Sequence, residues 1–231
     1  MSSDTEVTIT KLLKYKFLSR MPGKLGQRYY DRHASLTAMQ SMSKAISQCA
    51  GMTFIDLGAN LGEYSVMMAE RAGKVIAFEP DPWTYQKLKQ RVDNIEKIHT
   101  INAAAGVEDG HITLYRHEGF GRDPDLHSQG SSTFLSKNDI NSSDAHMVKQ
   151  IDFVRYLREL DEEIGVLKID IEGAEVELLE VLFDQADLFR RVRYVFAETH
   201  ERRIPEHKDR VKKLRIRAKN TWKPIVNLYW H

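Results

Sequence analysis

The stretch Asp56-Leu57-Gly58-Ala59-Asn60-Leu61-Gly62 decides the fold of this chain. It follows an apolar run at 52–55 and precedes a helix-forming sequence at 63–69. A glycine-rich turn between a buried strand and a helix lets backbone N–H groups and a helix N-terminus approach a ligand. A second apolar run at 75–78 ends at Glu79, about 20 residues after the turn begins, where an acid suits the two hydroxyls of a ribose. This order predicts a nucleoside-binding α/β domain, although the glycines alone would also fit an ordinary tight turn.

The spacing of the loop bears on which nucleoside is bound. A dinucleotide site would have G-x-G-x-x-G, whereas this loop has D-x-G-x-x-x-G, with Asn60 at a position that favours a small residue. An acid at Asp56 would repel a pyrophosphate but can pair with a cationic ligand. S-adenosylmethionine carries an α-ammonium and a sulfonium, so the loop favours this cofactor over NAD.

Three motifs together resemble one family. They are the loop 56–62, Phe78-Glu79-Pro80-Asp81-Pro82, and Lys168-Ile169-Asp170-Ile171-Glu172-Gly173. In combination they are similar to the FkbM family of S-adenosylmethionine-dependent methyltransferases, over about residues 53–200. The resemblance implies a Rossmann-like class I methyltransferase fold and methylation of a hydroxyl on a sugar, glycan or related natural product.

The order of apolar and helical segments predicts an α/β fold with a mainly parallel central sheet flanked by helices. Residues 1–50 are predicted as an N-terminal helical cap, with helices near 9–17 and 34–48 broken at 21–23, and 51–231 as the methyltransferase domain. The predicted strands are 52–56, 74–79, 98–102, 110–116, 147–151, 166–170, 193–198 and 225–230. The predicted helices are 62–72, 83–93, 152–160, 174–183 and 205–219. Most methyltransferases of this fold end in a hairpin, but one C-terminal strand is evident here, which leaves that topology open.

Composition excludes some classes of protein. At 231 residues the chain is long enough for one domain with a buried core. Its 34 basic and 33 acidic residues give a net charge of +1, which predicts no general attraction to nucleic acid or anionic membranes. The single cysteine cannot form an internal disulfide, and no apolar run approaches the ~20 residues of a membrane span. We therefore expect a cytoplasmic enzyme without a membrane span.

The cofactor is expected across the glycine loop, with its ribose on Glu79 and its adenine near Asn102 and Ala103. Its α-amino group is expected near Asp56 or the Gly58 carbonyl. The predicted cofactor-binding residues are Asp56, Gly58, Ala59, Asn60, Gly62, Glu63, Tyr64, Glu79, Pro80, Asn102, Ala103 and Asp170.

Lys168, Asp170 and Glu172 alternate with aliphatic residues, which predicts three charges on one face of a central strand. Buried charges are costly unless paired, and the carboxyl ends of parallel strands are where such sheets bind ligands. A structural alternative remains, in which Glu172 begins the next helix and Lys168 neutralises Asp170. Gly173 is expected to permit the sharp turn into that helix.

Methylation of an alcohol requires a positioned base. The candidates are Asp170, Glu172 and His200, which follows the predicted strand 193–198. His200 is well placed at the carboxyl end of a strand, although a lone histidine is more often structural. The resemblance ranks the two acids above it. We predict that Asp170 and Glu172 act as a pair.

No metal site is predicted, because the polar-loop residues that might suggest one match no ligand spacing. They are His117, His127, His146, Asp123, Asp125 and Asp144. A solvated loop explains them, although strand-end acids at Asp170 and Glu172 would also suit a divalent cation.

The polar segment 117–144 is long for a loop inside a compact domain and is expected to be an acceptor lid. Phe120 and Phe134 are expected to close over a sugar, and Ser131-Ser132 matches a serine pair of the family. The predicted helix 205–219 is strongly basic, which indicates either a solvated face or a site for an anionic glycan, lipid headgroup or RNA.

Together these features predict an S-adenosylmethionine-dependent O-methyltransferase acting on a small-molecule or glycan hydroxyl. The alternatives are an RNA methyltransferase of the same fold, a non-catalytic nucleoside-binding protein and, with the least support, an NAD oxidoreductase. Nucleic acid is not the expected partner, and the oligomeric state is left open.

Overall fold

The computed structural model describes residues 3–134, 137 and 139–230, so both ends of the chain and three positions of the polar segment lie outside the described residues. The helices are α1 (Ser3–Leu18), α2 (Gly23–Gln48), α3 (Glu63–Ala69), α4 (Pro82–Val92), α5 (Pro124–His127), α6 (Phe153–Leu160), α7 (Glu175–Asp184), α8 (Ala186–Phe189) and α9 (Lys208–Asn220). The strands are β1 (Thr53–Leu57), β2 (Lys74–Phe78), β3 (Ile98–Ile101), β4 (Ala104–Gly106), β5 (Gly110–His117), β6 (Ile140–Asp152), β7 (Ile164–Ile169), β8 (Val192–Ala197) and β9 (Ile225–Asn227). Short 3-10 helices occupy Ser128–Gly130 and Pro205–His207.

A six-stranded parallel sheet forms the centre of the molecule, in the order β3-β2-β1-β7-β8-β9. β1 and β7 are buried along their whole length, as expected for strands covered on both faces. Side chains of α6, α7 and α9 pack on one face, and those of α2, α3 and α4 pack on the other. The predicted Rossmann-like α/β fold is therefore confirmed, and α2 covers part of the sheet as expected.

The strand order determines where a ligand can bind. After β3 at one edge the chain returns to place β7 beside β1, so the direction of winding reverses between these two strands. In open α/β sheets such a reversal leaves a crevice at the carboxyl ends of the strands, where ligands bind. The glycine loop follows β1 and the K-I-D-I-E-G motif crosses the end of β7, so both meet at this crevice.

A second sheet, in the order β4-β6-β5, covers part of the segment that we predicted as a loop. The prediction was wrong at both ends, because β5 continues to His117 and β6 begins at Ile140. The polar residues at 141–144 lack the apolar alternation of a strand, and they lie at a register shift between the pairs Tyr115–Ala145 and His117–Ile140. β4 was not predicted, because its sequence Ala-Ala-Gly has low strand propensity.

The chain ends also differ from the prediction. β9 has three residues and pairs in parallel with β8, so the sheet does not end in a hairpin. Leu228 and Trp230 lie beyond that strand but are buried in the core. At the other end α2 begins at Gly23, the last residue of the predicted break and about eleven residues before the predicted start near 34. Within the described residues, no helix combines the length and apolar character needed to cross a bilayer.

Candidate active site

The glycine loop lies across the ends of β2 and β7. Its N–H groups at Gly58 and Ala59 donate to the Phe78 carbonyl at 3.0 and 2.9 Å. Gly58 has φ +74, and a Cβ there would lie 1.8 Å from the Asp170 carbonyl oxygen, so no other residue fits without moving that backbone. Glycine at this position therefore brings the loop into contact with the segment that carries Asp170.

Glu79 is buried beside the loop. Its carboxylate accepts hydrogen bonds from the backbone N–H groups of Asn60 and Asp81, both at 2.9 Å. Burial raises the pKa of Glu79 to about 8, although these two hydrogen bonds oppose the shift. The side-chain amide of Asn102 donates to the backbone carbonyl of Glu79 at 2.8 Å. Asn102 therefore supports the backbone of this turn.

A cavity of about 310 Å³ lies between the glycine loop, the carboxyl end of β7 and the second sheet. The predicted cofactor-binding residues that line it are Gly58, Ala59, Asn60, Glu63, Tyr64, Glu79, Pro80, Ala103 and Asp170. Asp56, Gly62 and Asn102 are not among its lining residues. The sequence did not predict its apolar wall of Phe78, Ala105, Ile112 and Leu114, part of which comes from β4 and β5.

Asp56 and Lys168 form a fully buried ion pair beneath the loop. Lys168 Nζ lies 2.9 Å from Asp56 Oδ1, and the Ser65 hydroxyl donates to Asp56 Oδ2 at 2.6 Å. Lys168 also donates to the Gly58 carbonyl at 3.0 Å, whereas its distance to Asp170 is 3.9 Å. Burial would lower the pKa of Lys168, but the Asp56 and Asp170 carboxylates together outweigh it and raise that pKa.

This pair corrects the expectation that Asp56 or the Gly58 carbonyl contacts a cationic ligand. The Asp56 side chain has no exposed surface, and Lys168 approaches both expected contact atoms. Lys168 itself lines the cavity, with its ammonium 5.4 Å from the Tyr64 ring and 5.3 Å from the Trp230 ring. The wall of the cavity therefore presents a cation, not the carboxylate of Asp56.

The turn after β7 changes the expected placement of the three charges. β7 ends at Ile169, and Glu172 adopts a left-handed φ of 54°, so the alternation of a strand does not extend to it. Gly173 follows with φ +119, and a Cβ there would lie 2.5 Å from Ile204 Cδ1, which agrees with the predicted sharp turn. Glu172 reaches the site from this turn, not from the strand face.

His200 is surrounded by carboxylates. Its Nδ1 lies 3.1 Å from Glu175, and its Nε2 lies 3.0 Å from Glu172, 3.7 Å from Glu198 and 3.9 Å from Asp170. Burial would lower the pKa of His200, but the hydrogen bonds to Glu172 and Glu175 outweigh it and raise the pKa to about 11. The three predicted catalytic residues thus lie together, yet His200 is an imidazolium at neutral pH and cannot accept a proton.

The carboxylates around His200 differ in basicity. Burial raises the pKa of Asp170, and burial together with the neighbouring Asp170 raises the pKa of Glu198 to about 7. Glu172 is also buried, but hydrogen bonds from His200 and Lys137 hold its pKa below the usual value. Asp170 and Glu198 are therefore the better bases, and the predicted pairing of Asp170 with Glu172 as orienting and proton-accepting groups does not fit this electrostatics.

Three residues of this cluster were missed from the sequence. Glu198 directly follows a buried strand in the same way as Glu79, so that pattern would have found it. Glu175 begins α7, where an acid is usually explained by the helix dipole, but its carboxylate accepts hydrogen bonds from the Gly173 and His200 N–H groups. Lys137 lies in the polar segment, and no sequence pattern identifies it.

The polar segment lines the cavity with Ser128, Ser131 and Thr133, and two more of its side chains contact Glu172. The Ser132 hydroxyl donates to the Glu172 carbonyl, and Lys137 Nζ donates to the Gly130 carbonyl at 2.7 Å and to the Glu172 carboxylate at 2.5 Å. The aromatic rings expected to cover an acceptor do not line the cavity. Phe120 packs against Trp83 with ring centroids 5.4 Å apart, and Phe134 against His207 at 5.0 Å.

Three side chains among the described residues lie close enough together to ligate one cation. They are Asp170, Glu198 and His200, whose potential ligand atoms lie within 4.8 Å of one another. The histidines of the polar segment belong to other contacts: His117 stacks on His127 at 4.5 Å, and His146 lies 2.7 Å from Asp144. To ligate an ion, His200 would have to lose a proton held with a pKa of about 11. Absence of a metal stays a prediction.

Comparison with known proteins gives the family. The family model described as "Methyltransferase FkbM domain" matches residues 56–219. "Methyltransferase 1" of Beauveria bassiana is 24% identical over 145 residues, covering 57% of this chain and 58% of that relative. The chain therefore spans little more than half the length of this relative.

Two solved structures are similar over larger parts of the chain. Methyltransferase FkbM from Methylobacillus flagellatus is 15% identical, covering 79% of this chain and 46% of its own, with a TM-score of 0.37. An rRNA methylase from Streptococcus thermophilus is 12% identical, covering 64% of this chain and 63% of its own, with a TM-score of 0.34. At these TM-scores neither structure bears on the activity of this chain. The match to the family model includes the glycine loop, the Glu79 turn and the K-I-D-I-E-G turn that build the cavity, and on that match the chain belongs to the methyltransferase FkbM domain family.

Proposed function

We propose that this protein is an S-adenosylmethionine-dependent O-methyltransferase that acts on a hydroxyl of a sugar, glycan or related natural product. We call the cavity of about 310 Å³ the cofactor cavity. The observation that carries the proposal is Glu198, which lines this cavity and whose pKa is raised to about 7 by burial and by Asp170. A base with a pKa near the working pH is what removal of an alcohol proton requires.

The cavity has the features that this cofactor needs. Glu79 offers its carboxyl group to the hydroxyls of a ribose, and the apolar wall of Phe78, Ala105, Ile112 and Leu114 suits a flat adenine ring. Lys168 supplies a cation for the carboxylate of the methionine part. The indole N–H of Trp230, buried in the cavity wall without a hydrogen-bond partner among the described residues, is a further donor. We propose that Asp56, Gly62 and Asn102 act indirectly, by holding these walls.

Bound there, S-adenosylmethionine supplies an electrophilic methyl group on a cationic sulfur. The residues around it then have three tasks: to exclude water, to align the acceptor oxygen and to take its proton. We assign the proton to Glu198 and the orienting hydrogen bond to Asp170, whose Oδ1 is buried and has no hydrogen-bond partner within the described part of the chain. The imidazolium of His200 stabilises the group of carboxylates and holds Glu172 and Glu175 in place.

The alternatives have less support. A protein that only bound a nucleoside would gain nothing from burying Asp170 and Glu198 in a setting that raises both pKa values. An RNA methyltransferase is favoured by the basic helix α9, but three of its arginines, Arg210, Arg215 and Arg217, form ion pairs with acids of this chain.

The test is to identify the methylated product. The protein is incubated with methyl-labelled S-adenosylmethionine and separate pools of glycosides, polyols, hydroxylated natural products and RNA, and products are analysed by mass spectrometry. We expect a methyl ether on a non-RNA hydroxyl. Asp170→Asn should reduce turnover at least about 100-fold, because the amide lacks the negative charge that strengthens the hydrogen bond from the substrate hydroxyl, while S-adenosylhomocysteine still binds by calorimetry.

Asp93→Asn, at an exposed position after α4, is the matched control and should keep full activity. Methylation of RNA alone would contradict the proposed acceptor class. Failure of the wild-type protein to bind S-adenosylhomocysteine would contradict the proposed cofactor.

A further inference from the structure

A second cavity, of about 950 Å³, opens beside the acid cluster. It lies between α2, the turn after β8, α9 and the segment after β9, and we call it the outer groove. Its lining residues are Gln27, Tyr30, Ala34, Glu198, Thr199, His200, Glu201, Arg202, Arg203, Pro205, Lys208, Asp209, Lys212, Arg215, Leu228 and Tyr229. Five of these are arginines or lysines, His200 is a sixth basic residue, and three are acidic, which makes the groove cationic.

The outer groove and the cofactor cavity meet at one residue of the proposed reaction. Glu198 lines both of them, and His200 lines the groove. The cofactor cavity, at about 310 Å³, is at the lower end of the size that holds one small ligand. A second substrate that reaches Glu198 therefore has its space in the groove.

Three cations of the groove have no acidic partner among the described residues, unlike Arg215, which pairs with Glu201 at 2.7 Å. Arg210 and Arg217 are held by Glu180 and Asp184 at 2.6 and 2.7 Å. Arg203, Lys208 and Lys212 are exposed and form no ion pair with a described residue. A concave surface that keeps such cations beside a reaction centre suits an anionic ligand.

Aromatic side chains complete the groove. Tyr30 of α2 and Tyr229 lie edge to face with ring centroids 6.3 Å apart, and Arg215 lies over the Tyr229 ring at 4.6 Å. Tyr30 is 45% exposed, so its ring offers an apolar face together with a polar hydroxyl. Both tyrosines lie outside residues 56–219, the part that matches the family model. The groove thus combines cations with aromatic faces, which suits a charged sugar.

We propose that the outer groove binds the methyl acceptor and that this acceptor is a sugar or polyol carrying an anionic group, a phosphate, a sulfate or a carboxylate. Arg203, Lys208 and Lys212 hold the anionic group, and the hydroxyl to be methylated lies at Glu198. This inference rests on the proposed methyltransferase function and names its substrate class.

The test measures binding with three probes, glucose 6-phosphate, glucuronate and glucose, by calorimetry with and without S-adenosylhomocysteine. We expect the two anionic sugars to bind at least about tenfold more tightly than glucose. Tighter binding of glucose 6-phosphate would identify phosphate as the preferred anionic group, and tighter binding of glucuronate would identify carboxylate. The double variant Lys208→Gln/Lys212→Gln should weaken their binding at least about tenfold without changing the affinity for glucose. Lys213→Gln/Lys219→Gln removes two exposed cations of the same helix that do not line the groove and should bind like the wild type.

Equal binding of glucose and the anionic sugars would overturn the proposal, as would unchanged binding by Lys208→Gln/Lys212→Gln. Inorganic phosphate that binds as tightly as glucose 6-phosphate would mean an anion site without a sugar, and displacement of both sugars by a short single-stranded RNA would assign the groove to nucleic acid. The cofactor is measured separately, so failure to bind S-adenosylhomocysteine would contradict the proposed function and leave the groove result intact.

Discussion

At the scale of single residues, the identity of the charged groups is easier to predict than their partners. The sequence predicts that Lys168 must be paired, since a buried ammonium is costly, but it offers Asp170 as the partner. The structure pairs Lys168 with Asp56 on the neighbouring strand, because Asp56 and Lys168 lie opposite each other in the parallel register of β1 and β7. Strand order and register are properties of the whole sheet, and a local pattern does not contain them.

Glu198 gives the first prediction at this scale. Because its pKa is about 7, the wild-type kcat should rise with pH through about 7 as the carboxylate ionises. In Glu198→Gln we expect kcat to fall about 100-fold and this rising limb to disappear. Measurement of kcat from pH 5.5 to 9 with the identified acceptor checks it.

The matched control is Glu96→Gln, at an exposed position before β3, which should keep the pH profile of the wild type. A Glu198→Gln enzyme with an unchanged profile would assign the proton to another group.

His200 gives a prediction on stability. Its pKa is about 11 in the folded protein against an ordinary value of 6.5, so the folded state binds this proton more tightly than the unfolded state does. The stabilisation is fully present below pH 6.5 and is lost as pH rises through 11. His200→Gln should lower the free energy of unfolding by about 3–5 kcal/mol at pH 6, because buried carboxylates lose their cation.

Denaturant unfolding at pH 6 and pH 9 measures this effect, and the difference between wild type and variant should be smaller at pH 9. His111→Gln, at an exposed position of β5, should change the free energy of unfolding by less than about 0.5 kcal/mol. An equal loss at both pH values would show that His200 acts through packing alone.

At the scale of elements, the buried strands were predicted within a residue or two and the second sheet was not. β1, β2 and β7 are short apolar runs with an acid at or just after their carboxyl ends, so their sequences carry their own boundaries. The first half of β6 is polar, and its strand conformation depends on pairing with β5, for example Tyr115 with Ala145. Such pairing is long-range, and composition alone indicates a loop there.

The segment between β5 and β6 carries a prediction of its own. Lys137 is buried and bonds Glu172, so Lys137→Gln should loosen the segment. We expect at least about tenfold faster hydrogen exchange at the Tyr115 and Ser132 amides, which now donate to each other's carbonyls at 2.8 Å.

Hydrogen exchange with mass spectrometry measures this, with Lys149→Gln, an exposed lysine of β6, as the control. Unchanged exchange in Lys137→Gln would mean that the strand pairing, not the lysine, holds the segment. Closure of this segment over bound substrates stays a prediction.

At the scale of the whole molecule, the predicted division at residue 50 corresponds to the end of α2, and we retain it as a proposal. The packing nevertheless ties the two parts together, since Ala38, Met42 and Ala45 of α2 share a core with Phe54 of β1. The lining of the first cavity was largely predictable, because nine of the twelve residues expected at the cofactor site line it and come from contiguous motifs, and their part in cofactor binding stays a prediction. The outer groove was not, because it joins residues as far apart as Gln27 and Tyr229.

Because Glu198 lines both cavities, binding of a ligand in one cavity is coupled to binding in the other. A cation bound in the cofactor cavity favours the ionised form of Glu198, so Glu198 releases a proton. An anion bound in the outer groove favours the protonated form, so Glu198 takes up a proton. Ligands of opposite charge also attract each other across this residue, so each should raise the affinity for the other by the same factor. Cooperativity between two substrates then requires no movement of the chain, and their simultaneous binding exchanges few protons with the solvent.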